Sequence, residues 1–170
     1  MGEHGPKKRL ALDANLPLDL AAGLDFAHDF RENFQARGYS LLLPPTAAEE
    51  IWLIHSNPAH PQRKLATQAL RSLTKWGIDL LELKSHPQPV ARTIGRKFAE
   101  RMILAAHLPS TEINDGIILA ETALAEIPVL VTRDKHLLNI EEADLLICLH
   151  EADLSPVKPL HPRLLWRAIQ

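Results

Sequence analysis

Four acidic residues, Asp13, Glu50, Asp115 and Asp134, stand where a folded chain can bring carboxylates together. Asp13 follows the apolar run Leu10-Ala11-Leu12, and Asp134 follows Val129-Leu130-Val131-Thr132 at one residue's remove. Glu50 and Asp115 fall in the first turns of helices expected after a strand or a loop. In open α/β sheets ligands gather at the carboxyl ends of the strands, so all four can meet at one edge. Carboxylates crowded there repel, and without a cation one or more takes up a proton. Mg2+ and Mn2+ relieve the repulsion, since both favour carboxylate and water oxygens. One or two such ions can ionise a water and stabilise the attacking and leaving oxygens of a phosphodiester.

Each acid also has a plainer reading. Asp13 and Asp134 sit where helix N-caps are expected. Asp115 suits the positive end of a helix dipole, although Glu112 suits it better and is kept as a secondary candidate. Ile117, Ile118 and Ala120 follow Asp115 closely, which predicts partial burial, and a buried acid needs a partner. Glu49 competes with Glu50. Thr46-Ala47-Ala48-Glu49 has capping-box spacing, which gives Glu49 a structural task and turns Glu50 elsewhere on the helix. Asp144 and Asp153 read as surface acids. The nine histidines show no HExxH spacing, so zinc is not expected.

The elements that must position these acids alternate. Short strands are expected at residues 9–12, 41–43, 78–83, 128–132 and 145–149. Helices are expected at 18–37, with Gly23 as an interruption, and at 46–56, 61–76, 90–107 and 109–126. A short turn or helix follows Asp134, and a closing helix follows His161-Pro162. Buried strands alternating with helices imply a small, mainly parallel sheet covered on both faces, an α/β/α sandwich.

The bulk numbers agree with a globular chain: 46% of the 170 residues are hydrophobic and 24% charged, which excludes a disordered polymer. A net charge of −2 does not look like a chain that holds nucleic acid by general electrostatics, and it does not exclude one, because bound cations return positive charge where phosphate sits. Asp13 and Asp19 break the apolar stretch after Lys7-Lys8-Arg9, so a secretion signal is not expected. No apolar run is long enough for a bilayer. Cys148, the lone cysteine, reads as a small buried hydrophobe in a reducing compartment, so a cytoplasmic location is expected. Trp52, Trp76 and Trp166 read as core or interface anchors.

Four segments together resemble the PIN family of nucleases. Leu10-Ala11-Leu12-Asp13-Ala14-Asn15 is similar to its opening strand, with Asn two residues after Asp. Pro44-Pro45-Thr46-Ala47-Ala48-Glu49-Glu50-Ile51 is similar to its second acidic segment, and Asn114-Asp115-Gly116-Ile117-Ile118-Leu119-Ala120 to its third. Val129-Leu130-Val131-Thr132-Arg133-Asp134 is similar to its strand ending in Thr-x-Asp. Each segment is weak alone; the order of all four, across residues 10–166, is fairly specific.

The resemblance implies a PIN-like domain over residues 9–170, after a flexible leader at 1–8. It implies an endoribonuclease dependent on Mg2+ or Mn2+, in which metal-activated water hydrolyses RNA to leave a 5′-phosphate and a 3′-hydroxyl. Asp13, Glu50, Asp115 and Asp134 would hold the metal, with Asn15 and Thr132 orienting a carboxylate or water behind them. Many such proteins are VapC-type toxins, so a cognate antitoxin and a homodimer are further implied partners. Arg63, Lys64, Arg92, Arg96 and Lys97 are candidate RNA contacts, although basic helix faces are more often merely solvated. Two rivals stand beside this reading. One is a non-catalytic scaffold binding RNA or protein. The other is an aspartate-dependent phosphatase or phosphoacceptor, which would want a second Asp where Asn15 stands.

Overall fold

The computed structural model describes residues 8–170; residues 1–7 of the expected leader lie outside it. Strand β1 (Arg9–Leu12) leads to α1 (Asn15–Ala21), α2 (Asp25–Ala36) and β2 (Ser40–Leu43). Helices α3 (Pro45–Ser56) and α4 (Arg63–Ser72) lead to β3 (Ile78–Leu80), and α5 (Gln88–Leu104) and α6 (Ile113–Leu124) to β4 (Val129–Val131). Then come α7 (Lys135–Leu138), α8 (Glu142–Glu151), β5 (Lys158–Leu160) and α9 (Pro162–Ala168).

Among the described residues five strands form one sheet, all parallel, in the order β3-β2-β1-β4-β5. Winding runs outward from β1 through β2 to β3, and in the other direction through β4 to β5. The reversal falls between β1 and β4, and a crevice opens at the carboxyl ends of such a pair. Leu10, Ala11 and Leu12 of β1 and Leu130 and Val131 of β4 are buried, as strands covered on both faces must be. Helix α2 packs with α9, while α3, α5 and α6 form another packed group with α4 against α1 and α3. The fold is a PIN-like three-layer α/β/α sandwich.

Two expectations are corrected. The segment 145–149 is not a strand but the middle of α8. Its burial follows a helix: Leu145, Cys148 and Leu149 face inward, while Leu146 and Ile147 are exposed. A short apolar run does not distinguish the two periods. The last strand is instead β5, where Pro159 is tolerated because an edge strand has a side that needs no donor. The interruption expected at Gly23 is observed: α1 and α2 part there, and the Gly23 φ of 71° is left-handed.

Helix α6 is buried almost all round, and its approach to α5 is close. A Cβ on Gly116 would lie 2.7 Å from the Ala99 Cα, so only glycine fits there. That contact seats the turn carrying Asp115 against the molecule's interior.

Candidate metal centre

Asp13 leaves the end of β1 with its backbone N–H donating to Val131 O at 2.9 Å, which ties it to β4. Its Oδ1 accepts from Ala14 N at 2.7 Å. Its Oδ2 accepts from the Thr132 hydroxyl at 2.7 Å and from Asn15 Nδ2 at 3.4 Å. The Thr132 oxygen also accepts from Asp134 N at 3.0 Å and from Asn15 Nδ2 at 3.4 Å. Asn15 Oδ1 in turn accepts from Arg133 N at 3.3 Å. Thr132 and Asn15 therefore lock the loops after β1 and β4 together across the reversal point.

Thr132 is fully buried, so Thr132→Val keeps its shape and removes the clasp. We expect a loss of about 1–3 kcal/mol in stability, because Asp134 N and Asp13 Oδ2 each lose a partner. If Asp13 binds a metal, affinity should drop about 10–100-fold as well. Chemical denaturation and metal titration of the variant check the two effects separately.

Asp13, Asp115 and Asp134 each place one carboxylate oxygen within 4.8 Å of the others. Asp13 and Asp115 are buried, at 4% and 5% exposure. Asp134 keeps its capping role: one oxygen accepts from His136 N at 2.8 Å at the start of α7. Asp115 Oδ2 is buried with no hydrogen-bond partner among the described residues. Glu50 and Glu112 line the same pocket, about 280 Å³ in volume, with Asn15, Asp19 and Arg133. Glu50 is thus at the wall of the pocket but outside the tight trio.

The electrostatics follow from that crowding. Burial raises the Asp13 carboxyl, against the pull of the Thr132 and Ala14 hydrogen bonds, and the Asp134 and Glu112 charges push it further up. Glu50 is raised to about 7, first by burial and then by the charge of Asp13. Asp115 is raised to about 9 by burial, by Asp13 and Asp134, and by a hydrogen bond with Asp134 that favours its protonated form. A divalent cation fits this donor set. It would give the orphaned Asp115 oxygen a partner and replace mutual repulsion with shared attraction.

Other acids go elsewhere. The capping box of Thr46 and Glu49 does not form. Pro44 is the N-cap of α3, and the Thr46 N–H and hydroxyl both donate to Glu121, each at 3.0 Å. Glu49 is half-exposed and pairs with Arg92 at 2.6 Å. Glu121 is buried on α6, and burial raises it to about 7 against the two Thr46 hydrogen bonds. Its signal in the sequence was a lone charge in the apolar run Ile117-Ile118-Leu119-Ala120-Glu121-Thr122-Ala123. Asp19 was also missed. It is buried and holds Arg133 through two hydrogen bonds at 2.5 and 2.7 Å, across 114 residues of chain.

Arg63, Lys64, Arg92, Arg96 and Lys97 do not line the acidic pocket. Arg92, Arg96 and Lys97 share a separate depression on α5, and Arg63 donates to the carbonyl of His55. Gln62, beside Arg63 in sequence, does reach the pocket wall. Trp76 is in the core, whereas Trp52 is 56% exposed. No helix among the described residues is long and apolar enough to cross a membrane.

Fold and site together define a class: a doubly wound sandwich with a pocket of carboxylates at its switch point. No protein-family model matches the sequence, and no curated protein matches it. A likeness to a solved structure carries the comparison further. A chain in the crystal structure of VapBC2 from Rickettsia felis, bound to a DNA fragment from their promoter, aligns with a TM-score of 0.57 at 12% identity. The alignment covers 90% of this chain and 98% of that one, so the two share a fold over nearly their whole lengths.

Proposed function

We propose that this chain is a metal-dependent endoribonuclease of the PIN type. The observation that carries the reading is the trio Asp13, Asp115 and Asp134, with one carboxylate oxygen of each within 4.8 Å of the others and a buried Asp115 oxygen that no group among the described residues satisfies. A structural salt-bridge network would supply cations from the chain, but Arg133 is turned onto Asp19 instead.

In this reading Asp13, Asp115 and Asp134 hold Mg2+ or Mn2+, with Glu50 as a further ligand or outer acid. When bound, the ion ionises water and offsets the charge that develops on the phosphodiester oxygens. Thr132 and Asn15 fix the Asp13 carboxylate so that its geometry survives the repulsion. Glu50, raised to about 7, is matched to holding or accepting a proton near neutral pH at the pocket wall. The chain contributes no covalent nucleophile. The products are a 5′-phosphate and a 3′-hydroxyl, as the family resemblance implies.

The likeness to a chain of VapBC2 supports a narrower form: a VapC-type toxin with a cognate antitoxin protein as partner. A homodimer acting on RNA in the cytoplasm completes the proposal.

The test is incubation with structured RNAs in Mg2+ or Mn2+, alongside Asp115→Asn. Internal cuts that need the metal are expected from the intact chain. The variant should lose more than the roughly 10–100-fold typical of outer-shell changes. Cutting that survives the substitution would place the chemistry elsewhere.

A further inference from the structure

Next to the acidic pocket lies a cationic group that the proposed chemistry does not use. Arg133 lines the pocket, and its Nε and Nη2 are both committed to the buried Asp19. A guanidinium has five N–H groups, so those on Nη1 and one on Nη2 are left over. The bidentate pair fixes the plane, and the side chain is 40% exposed. Its outward edge is therefore a rigid fork of donors, already oriented before anything binds.

Arg163 shares an aromatic neighbour with it. Its guanidinium carbon is 5.0 Å from the Phe26 ring centroid, and that of Arg133 is 6.0 Å from the same ring. Phe26 is half-buried and gives both cations an apolar surface to rest on. Arg163 is exposed, and no ion pair with a carboxylate is found for it among the described residues. Its positive charge is uncompensated, whereas Asp19 cancels that of Arg133. His161 adds no charge: burial lowers its pKa, and the nearby Arg163 and Arg133 lower it further.

We infer that Arg133 and Arg163, gathered on Phe26, form a binding site for a backbone phosphate of the RNA strand, next to the phosphate held at the acids. The inference rests on the nuclease reading and deepens it. Planar, bidentate donors match phosphate oxygens better than a lysine does. A neighbouring phosphate fixed on one side of a repulsive acidic pocket sets the direction in which the strand crosses it. The site is distinct from the basic faces of α4 and α5.

Steady-state cleavage of a single-stranded oligoribonucleotide tests it, comparing the intact chain with Arg163→Gln and Arg163→Lys at several salt concentrations. Arg163 is exposed, so both variants should keep the wild-type melting temperature. Arg163→Gln should raise KM about tenfold with kcat nearly unchanged, the weight of one phosphate contact. The slope of log affinity against log salt should shrink by about 0.7 for one contact to a single strand. Arg163→Lys should keep the salt slope and lose part of the affinity. A neutral methylphosphonate, moved along the oligonucleotide, should weaken binding to the intact chain at one position beside the cut. That position should cost Arg163→Gln nothing further. Wild-type KM and salt slope in both variants, with metal-dependent cutting intact, would overturn this site and leave the nuclease reading standing. No metal-dependent cutting by the intact chain would remove both.

Discussion

Replacing Asp115 with Asn is expected to stabilise the metal-free protein while removing its response to metal. A buried carboxyl raised to about 9 stays protonated in the folded state at pH 7, whereas the unfolded chain ionises it from 3.8. Holding that proton lowers stability by 1.36 kcal/mol for each unit between 3.8 and the working pH, or roughly 4 kcal/mol at pH 7 as an order of magnitude. Asparagine has nothing to ionise. It is close to isosteric, and its amide still donates towards Asp134. For a chain of this size each kcal/mol is about 2–4 °C in melting temperature, so a rise on the order of 10 °C is expected in EDTA. In Mn2+ the intact chain should gain stability and the variant should not. A variant that melts lower in EDTA and still responds to Mn2+ would mean that Asp115 is an ordinary structural acid. Stability gained with function lost is what a strained site shows and a structural acid does not.

The second large effect is an inverted pH dependence. Most proteins lose stability in acid because native carboxylates are stabilised as anions. Here Glu50 and Glu121 are raised to about 7 and Asp115 to about 9, and Asp13 is raised as well. A group whose folded pKa lies above its unfolded one contributes stability below the unfolded value, and that contribution is lost as pH rises through the folded one. Between about pH 4.5 and 9 the unfolded chain therefore binds fewer protons, and metal-free stability should fall with rising pH. Melting in EDTA at pH 5.5 and 8.5 should differ by several degrees, with the acid sample higher. Saturating Mn2+ should flatten or reverse the slope, because a metal takes the deprotonated carboxylates. Glu121 is apart from the pocket, so its share of the slope, up to about pH 7, should persist in Mn2+ and disappear in Glu121→Gln. A metal-free melting temperature that climbs from pH 5.5 to 8.5 would contradict the electrostatic account.

What was legible in the sequence is tied to local pattern. Leu10-Ala11-Leu12 and Val129-Leu130-Val131 read as strands because both faces are buried, and the acids after them fall at carboxyl ends for the same reason. The order of the strands was not legible, and it decides that the ends of β1 and β4 are neighbours. Helix α8 was misread because five apolar residues fit either period. Strand β5 was missed because Lys158-Pro159-Leu160 has neither length nor alternation. The box of Thr46 and Glu49 had the right local spacing, but a tertiary acceptor, Glu121, took both Thr46 donors. The pair of Asp19 and Arg133 had no local signature at all.

Mn2+ titration by calorimetry, repeated in buffers of different ionisation heat, tests most directly whether the acids form a metal site. The intact chain at pH 7 should bind and release protons, since Asp115 and part of the Glu50 population must give theirs up. Asp115→Asn should bind far more weakly. Equal heats from both proteins, or no binding by either, would contradict the site.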